Sequence, residues 1–324
     1  MLCANCDNMK NLNLIFLLII SITLLSCKQS SLDKAVSEDR IETIKLLAQN
    51  WPGREPIELD MPIDKGLDKL EISEPDIIEI DSNELVLGIA FEDTQLAVPL
   101  TYLSGFEVAN LFVDSNNYLL TWCPLVGSAR IFEGNINGDK SGFDFGRALW
   151  DNNLLIVDRK TNTVWNQLSC KAIYGELEGE RLTPLPSIQS TWAFWKSKYP
   201  DTKLLINNDT SEAVFPGLVY QKQYYNTWAP DKEYPPERNT IHQIQNLGLG
   251  VELGSSSIFL PFEKLFEGDS PMEYTLEDQE LLIHFDESGY TAWAEDKNGN
   301  MIPGTIVYDW AWNSFFPDSG TYGN

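Results

Sequence analysis

Residues 87–127 and 249–289 repeat one pattern. Laid on each other at a constant offset of 162 (249 − 87), Leu87, Gly88, Pro99, Leu103, Leu119, Leu120 and Gly127 meet Leu249, Gly250, Pro261, Leu265, Leu281, Leu282 and Gly289. The alternation between the identities carries more weight than their number. Ile89 meets Val251, Phe91 meets Leu253, Leu96 meets Ile258 and Val98 meets Leu260. Apolar side chains therefore recur at every second residue in both copies, the period of a half-buried strand. Further on, Trp192, Ala193, Pro200 and Asp201 are echoed one residue shorter by Trp310, Ala311, Pro317 and Asp318. The second copy omits the stretch corresponding to Gly134–Ile188. The expected fold is mainly β (β-rich α+β), with two related β-rich units from an internal repeat, each followed by a short Trp-rich helix.

Turn chemistry places the strands. Leu85–Phe91 and Gln95–Leu100 read as a hairpin about Glu92, Asp93 and Thr94. Tyr118–Cys123 and Ala129–Phe132 follow. Asn137-Gly138 then supplies the two residues that tolerate positive φ in a type I′ turn, ahead of Phe143–Leu149. Leu154–Val157, Thr163–Leu168 and Arg181–Leu185 continue the rhythm. Ser190–Tyr199 breaks it: Trp192, Trp195 and Tyr199 share a helical face, Ser190 is placed to cap, and Pro200 stops the helix.

Upstream, Lys10 precedes an apolar run from Leu14 to Leu25. That run is too short to cross a hydrocarbon layer of ~30 Å but suits the h-region of a signal peptide. It ends in Leu24-Leu25-Ser26-Cys27, which resembles a bacterial lipobox, so Cys27 is the expected lipidation site and first mature residue. Met9, directly before Lys10, is an alternative start to Met1. Lys28, where Asp would signal inner-membrane retention, points to a cell-envelope protein anchored in the outer membrane. Ser31 to about Glu79 is acidic and broken by Pro52, Pro56, Pro62 and Pro75, with a helix-compatible pattern over Ala35–Asn50. The expected division is a signal peptide at 1–26, an acidic helix and arm at 27–83, a first β-rich unit at 84–225 and a trimmed second unit at 226–324.

Charge restricts the partners. The chain has 48 Asp and Glu against 23 Lys and Arg, a formal net charge of -25, which lacks the basic face that phosphate backbones require and excludes nucleic acid. Cleavage after residue 26 removes one charge of each sign, Asp7 and Lys10, and leaves the balance unchanged. Anionic headgroups repel such a surface, so the membrane is reached through the N-terminal lipid. The further partner is a small-molecule, glycan or protein ligand.

Candidate chemistry is sparse. Cys123 stands at a strand end before Pro124, but no cation or helix start adjoins it to activate a thiolate. With Cys170 it either bridges or forms one of two separate buried thiols. Asn153, Asp158, Arg159 and Gln167 cluster about one hairpin and, with Cys123, make up the candidate ligand or thiol site; Asp158 equally suits a turn that bonds its own backbone. With two histidines in the chain, His242 and His284, a zinc centre or a Ser/His/Asp triad has little to draw on, and no metal or cofactor is expected. His284, at the repeat position of Trp122, reads as a half-buried structural histidine. Asp296, Asn298 and Asn300 mimic the opening of a calcium loop, but Met301 at its sixth position excludes an EF-hand. Trp192, Trp195, Trp310 and Trp312, with Tyr224 and Tyr225, suit either core packing or a ligand platform.

Thr121-Trp122-Cys123-Pro124-Leu125-Val126-Gly127-Ser128, Phe145-Gly146, Asp158-Arg159-Lys160-Thr161 with Trp165 and Gln167, and Gly175-Glu176-Leu177-Glu178-Gly179-Glu180-Arg181-Leu182 together resemble the domain of unknown function 3179. That bacterial group often carries lipoprotein or secretion signals. The resemblance covers Glu84 to Leu205 well and implies a β-rich fold without a settled activity. Many relatives carry a second cysteine where this chain has Val126, and the segment between Gly146 and Asn153 is shorter here. If the family uses a Cys-x-x-Cys pair for metal or redox chemistry, this chain lacks the pair and cannot do that chemistry in the same way. The leading expectation is a lipid-anchored extracytoplasmic binding or scaffolding module. The alternatives are a thiol- or metal-dependent enzyme using Cys123 and a carbohydrate-binding surface protein.

Overall fold

The alternating pattern pairs into the same hairpin twice. A computed structural model describes residues 57–58, 66–68, 70–77, 79–91, 94–103, 106–113, 116–207 and 247–323. The signal peptide, Cys27, the helix over Ala35–Asn50, Tyr224, Tyr225 and His242 lie outside the described residues. In the first copy β1 (Leu85–Ala90) and β2 (Gln95–Pro99) pair antiparallel with Gly88 opposite Ala97, and the short helix α1 (Leu100–Leu103) follows. Next, β3 (Val108–Val113), β4 (Asn116–Cys123) and β5 (Ser128–Glu133) form an antiparallel meander. A further sheet is built around β6 (Phe143–Trp150), β7 (Asn153–Asp158) and β8 (Val164–Asn166). The chain then returns to the hairpin. β9 (Ile188–Thr191) pairs with β1, helix α2 (Trp192–Lys198) crosses over, and β10 (Lys203–Asn207) lies parallel to β2.

The second copy runs through β11 (Leu247–Leu253), β12 (Ser256–Pro261), α3 (Phe262–Leu265), β13 (Met272–Leu276), β14 (Gln279–Asp286), β15 (Thr291–Asp296), β16 (Gly304–Tyr308), α4 (Asp309–Phe315) and β17 (Gly320–Thr321). Its hairpin repeats the first register for register. Gly88 opposite Ala97 becomes Gly250 opposite Phe259, an offset of 162. Ile188 beside Gly88 becomes Thr305 beside Gly250, and Lys203 beside Leu96 becomes Gly320 beside Ile258, closing elements offset by 117.

One packing device recurs with the register. A Cβ on Gly88 would run into the indole of Trp195, and one on Gly250 into the indole of Trp312. Only glycine lets each helix lay its tryptophan flat on the hairpin. Trp195 Nε1 donates to Thr202 Oγ1 at 2.8 Å and Trp312 Nε1 donates to Ser319 Oγ at 2.7 Å. Both indoles are almost wholly buried, so they are core, and removing either side chain should cost about 3–5 kcal/mol.

Two expectations shift by one residue. The register makes Trp195 the counterpart of Trp312, so Trp192 matches Asp309 rather than Trp310. The cap of α2 is Thr191, whose side chain accepts from Phe194 N, rather than Ser190. The gapless repeat also slips before the second meander. Leu120 opposite Ile131 becomes Ile283 opposite Ala294, an offset of 163. One extra residue between Pro261 and Met272 shifts the correspondence by one through the second meander, so the faces read from the gapless alignment are exchanged there. His284 is therefore the counterpart of Thr121, not of Trp122, and Trp293 is the counterpart of Arg130.

Residues Pro56–Asn324 constitute one compact unit, and its cores cross the repeat. Phe259, Val307, Ala311 and Trp312 of the second copy join Cys123, Phe132, Leu154 and Trp165 of the first. Trp293 joins Val86, Trp195 and Leu204. No helix among the described residues is long and apolar enough to cross a membrane.

Candidate functional site

A glutamine sealed in a β-rich interior must find partners for its whole amide, because an unpaired buried polar atom costs about 1–3 kcal/mol. Gln167, fully buried, leaves the end of β8 and points back at the β4–β5 meander. Its Nε2 donates to Thr121 Oγ1 and to Ser128 O, both at 3.0 Å. Its Oε1 accepts from Asn153 Nδ2 at 2.7 Å. Asn153 Oδ1 in turn accepts from Asn166 Nδ2 at 3.0 Å and Leu168 N at 2.8 Å. Ser128 Oγ lies 3.1 Å from Thr305 Oγ1, which carries the network into the second copy. Asn153 and Gln167 thus sit together as expected, but with their hydrogen-bonding groups turned on the protein itself.

Asp158 ends β7 with both carboxylate oxygens engaged. Oδ1 accepts from Lys160 N (3.1 Å) and Thr161 N (2.7 Å), while Oδ2 accepts from Thr161 Oγ1 (2.8 Å) and Trp165 Nε1 (3.0 Å). This is the backbone-bonding turn. Arg159, next in the chain, points the other way, to Asp144 Oδ1 (2.7 Å) and Asp68 Oδ2 (2.7 Å), and is about one-third exposed. The hairpin therefore divides its residues: Asn153, Asp158 and Gln167 face inward and Arg159 faces the surface.

Cys123 and Cys170 are free, fully buried thiols, and no disulfide joins them. Cys123 Sγ lies 3.6 Å from the carbonyl oxygen of Asn152. Burial pushes its thiol up to about 12, with the Glu107 carboxyl adding to the rise and the amides of Val126, Leu154 and Leu125 opposing it. The sulfur is thus a protonated thiol at neutral pH, which is neither nucleophile nor metal ligand in that form.

Two buried charged residues near the network carried no sequence signal. Glu107 is 4% exposed, adopts φ 56°, and is pushed up to about 8 by burial. Its only trace is an acidic residue between Phe106 and Val108. Arg130 is 7% exposed; its guanidinium donates to Leu168 O at 2.6 Å and Gln167 O at 3.2 Å and lies 5.2 Å from the centre of the Phe132 ring. The alternation of Arg130 with Ile131 reads as an outward-facing charge, which the β6–β8 sheet then covers.

The remaining expectations resolve locally. Asp296 Oδ1 accepts from Asn298 N (2.8 Å) and Asn300 N (2.9 Å), a hairpin turn closed on itself. Among the described residues no group of three or more His, Cys, Asp or Glu is placed to hold a metal ion. A cavity lined in part by Ser187, Gln189, Trp293 and Thr305 at the seam between the copies encloses about 10 Å³, room for roughly one water.

Residues 70–321 match the model of a family described as protein of unknown function (DUF3179). No curated protein and no solved structure matches the chain.

Proposed function

We propose, from the premise that the chain belongs to the DUF3179 family, that this member is a lipid-anchored binding or scaffolding module of the cell envelope, working through its outer surface. The observation that carries this reading is the state of Cys123. A fully buried thiol pushed up to about 12 is the opposite of the exposed, low-pKa sulfur that thiol catalysis requires. The polar residues around it support the same reading, because Asn153 and Gln167 are consumed by bonds that hold β4, β5, β7 and β8 together. The tether is Cys27, and the acidic residues between it and Pro56, where the folded unit begins, space that unit from the bilayer.

Native thiol labelling tests the central claim. The mature domain, with single Cys123→Ser and Cys170→Ser variants, is exposed to a thiol-reactive probe before and after unfolding. Labelling only after unfolding is expected. Rapid native labelling of Cys123 with an apparent pKa well below ~8.5 would overturn the reading in favour of thiol chemistry. Anchoring is tested separately by incorporation of a labelled fatty acid in cells, which Cys27→Ser should abolish.

A further inference from the structure

The cross-strand pair that receives Gln167 in the first copy has a counterpart in the second, and it receives something else. Thr121 opposite Arg130 corresponds to His284 opposite Trp293, and what docks there is helix α2 of the first copy. Thr191 N donates to Gly289 O at 2.9 Å. Phe194 fills the space that a Cβ on Gly289 would need and lies 5.8 Å from Trp293, centre to centre. Lys198 Nζ sits 4.5 Å from the centre of the Trp293 ring. On the same indole the His284 ring stacks at 4.9 Å with an interplanar angle of 6°.

We propose that His284 is an acid-sensitive release in this clamp: its protonation weakens the hold of the second copy on helix α2. The geometry supplies the sign. Trp293 already carries one cation, and an imidazolium stacked on it adds a second whose charge Lys198 opposes. Glu295 is the counter-charge at hand, but its Oε1 is engaged by Trp293 Nε1 at 2.8 Å. Its Oε2 lies 3.3 Å from His284 Nε2 and favours the imidazolium, against burial and Lys198. The charges that act on His284 are thus Glu295 from β15 and Lys198 from α2; Tyr199, at the end of α2, feels Glu295 as well. Burial holds the imidazole below its ordinary value of 6.5, with Lys198 acting in the same direction and Glu295 against both. A base depressed in the folded state binds its proton more readily once released, so the clamp weakens as pH falls through about 6.5. An envelope protein meets such acidity from outside the cell.

The test is amide hydrogen exchange of the mature protein at pH 7.5 and pH 5, corrected for intrinsic rates, comparing α2 with β1. In the wild type, protection of the α2 amides should fall severalfold at pH 5 while β1 holds. In His284→Gln, which cannot take up the charge, α2 protection should be the same at both pH values. His284→Phe, which keeps an aromatic ring on Trp293, serves if the glutamine variant folds poorly. An equal acid loss in the wild type and a folded variant, or none in the wild type, would overturn the proposal. With two histidines in the chain, a proton NMR titration of the wild type against the variant identifies the His284 resonance; a titration midpoint above 6.5 would overturn it too.

Discussion

The two meanders share a backbone pattern and differ in what covers them. In the first, β4 reads buried at nearly every position from Leu119 to Cys123; in the second, β14 alternates buried and half-buried from Leu281 to Asp286. The 134–188 stretch makes that difference. It folds into the β6–β8 sheet and closes the outer face of β4 and β5, so polar side chains there must bond to each other. The second copy lacks the stretch, and its outer face keeps Glu280 exposed and Leu282, His284 and Glu295 half-buried. The comparison teaches that a repeat preserves its hairpin register while the fate of its polar residues depends on what is inserted within one copy.

The largest effect should come from the device both copies share. Trp195→Ala or Trp312→Ala is expected to destabilise by about 3–5 kcal/mol in urea unfolding. A loss several kcal/mol larger at one site than at the other would break the equivalence of the two hairpins. Next comes the polar interior peculiar to the first copy. Gln167→Leu strips partners from Thr121, Ser128 and Asn153 and should cost about 2–4 kcal/mol; a neutral result would mean that the network does not organise this face.

Glu107 sharpens the comparison through pH. Its carboxyl is raised in the folded state, so its contribution is present below about 4.5 and lost as pH rises toward about 8. Glu107→Gln should leave stability unchanged at pH 4 and raise it relative to wild type at pH 9, by up to about 5 kcal/mol. Parallel pH profiles for the two proteins would refute this. The smallest effect is expected on the open face: Leu282→Gln should change stability by less than about 0.5 kcal/mol, and a loss comparable to that of Gln167→Leu would show that this face is covered in solution as well.

Much of the hairpin was legible because its signals are local. Gly88 and Gly250 and the alternating aliphatics act over a few residues, and the structure places strands where they fall, whereas Asn137-Gly138 turns only a small hairpin of its own, Asn135–Ile136 against Asp139–Lys140. β3 escaped notice because Asn110 interrupts its apolar run. In the fold that asparagine is buried and bonds Phe143 O and N of the neighbouring sheet, a partner 33 residues away that no window contains. The candidate site was legible only as a cluster. Asn153, Asp158 and Gln167 do gather around one hairpin, but hydrogen-bonding capacity is identical whether it faces a ligand or a neighbouring strand.

The amino-acid sequence by itself determined the β-rich class, the duplicated hairpin, the family and the acidic character, since each rests on local periodicity, motif order or simple counting. Only the tertiary structure decided that Cys123 and Cys170 stay apart as free thiols, that Glu107 and Arg130 are sealed inside, and that His284 lies against Trp293 and the charges of Glu295 and Lys198. The physical reason is the two-residue period of a strand. It assigns a side chain to one of two faces, while which face meets water, and which meets another sheet, is settled only when distant segments pack.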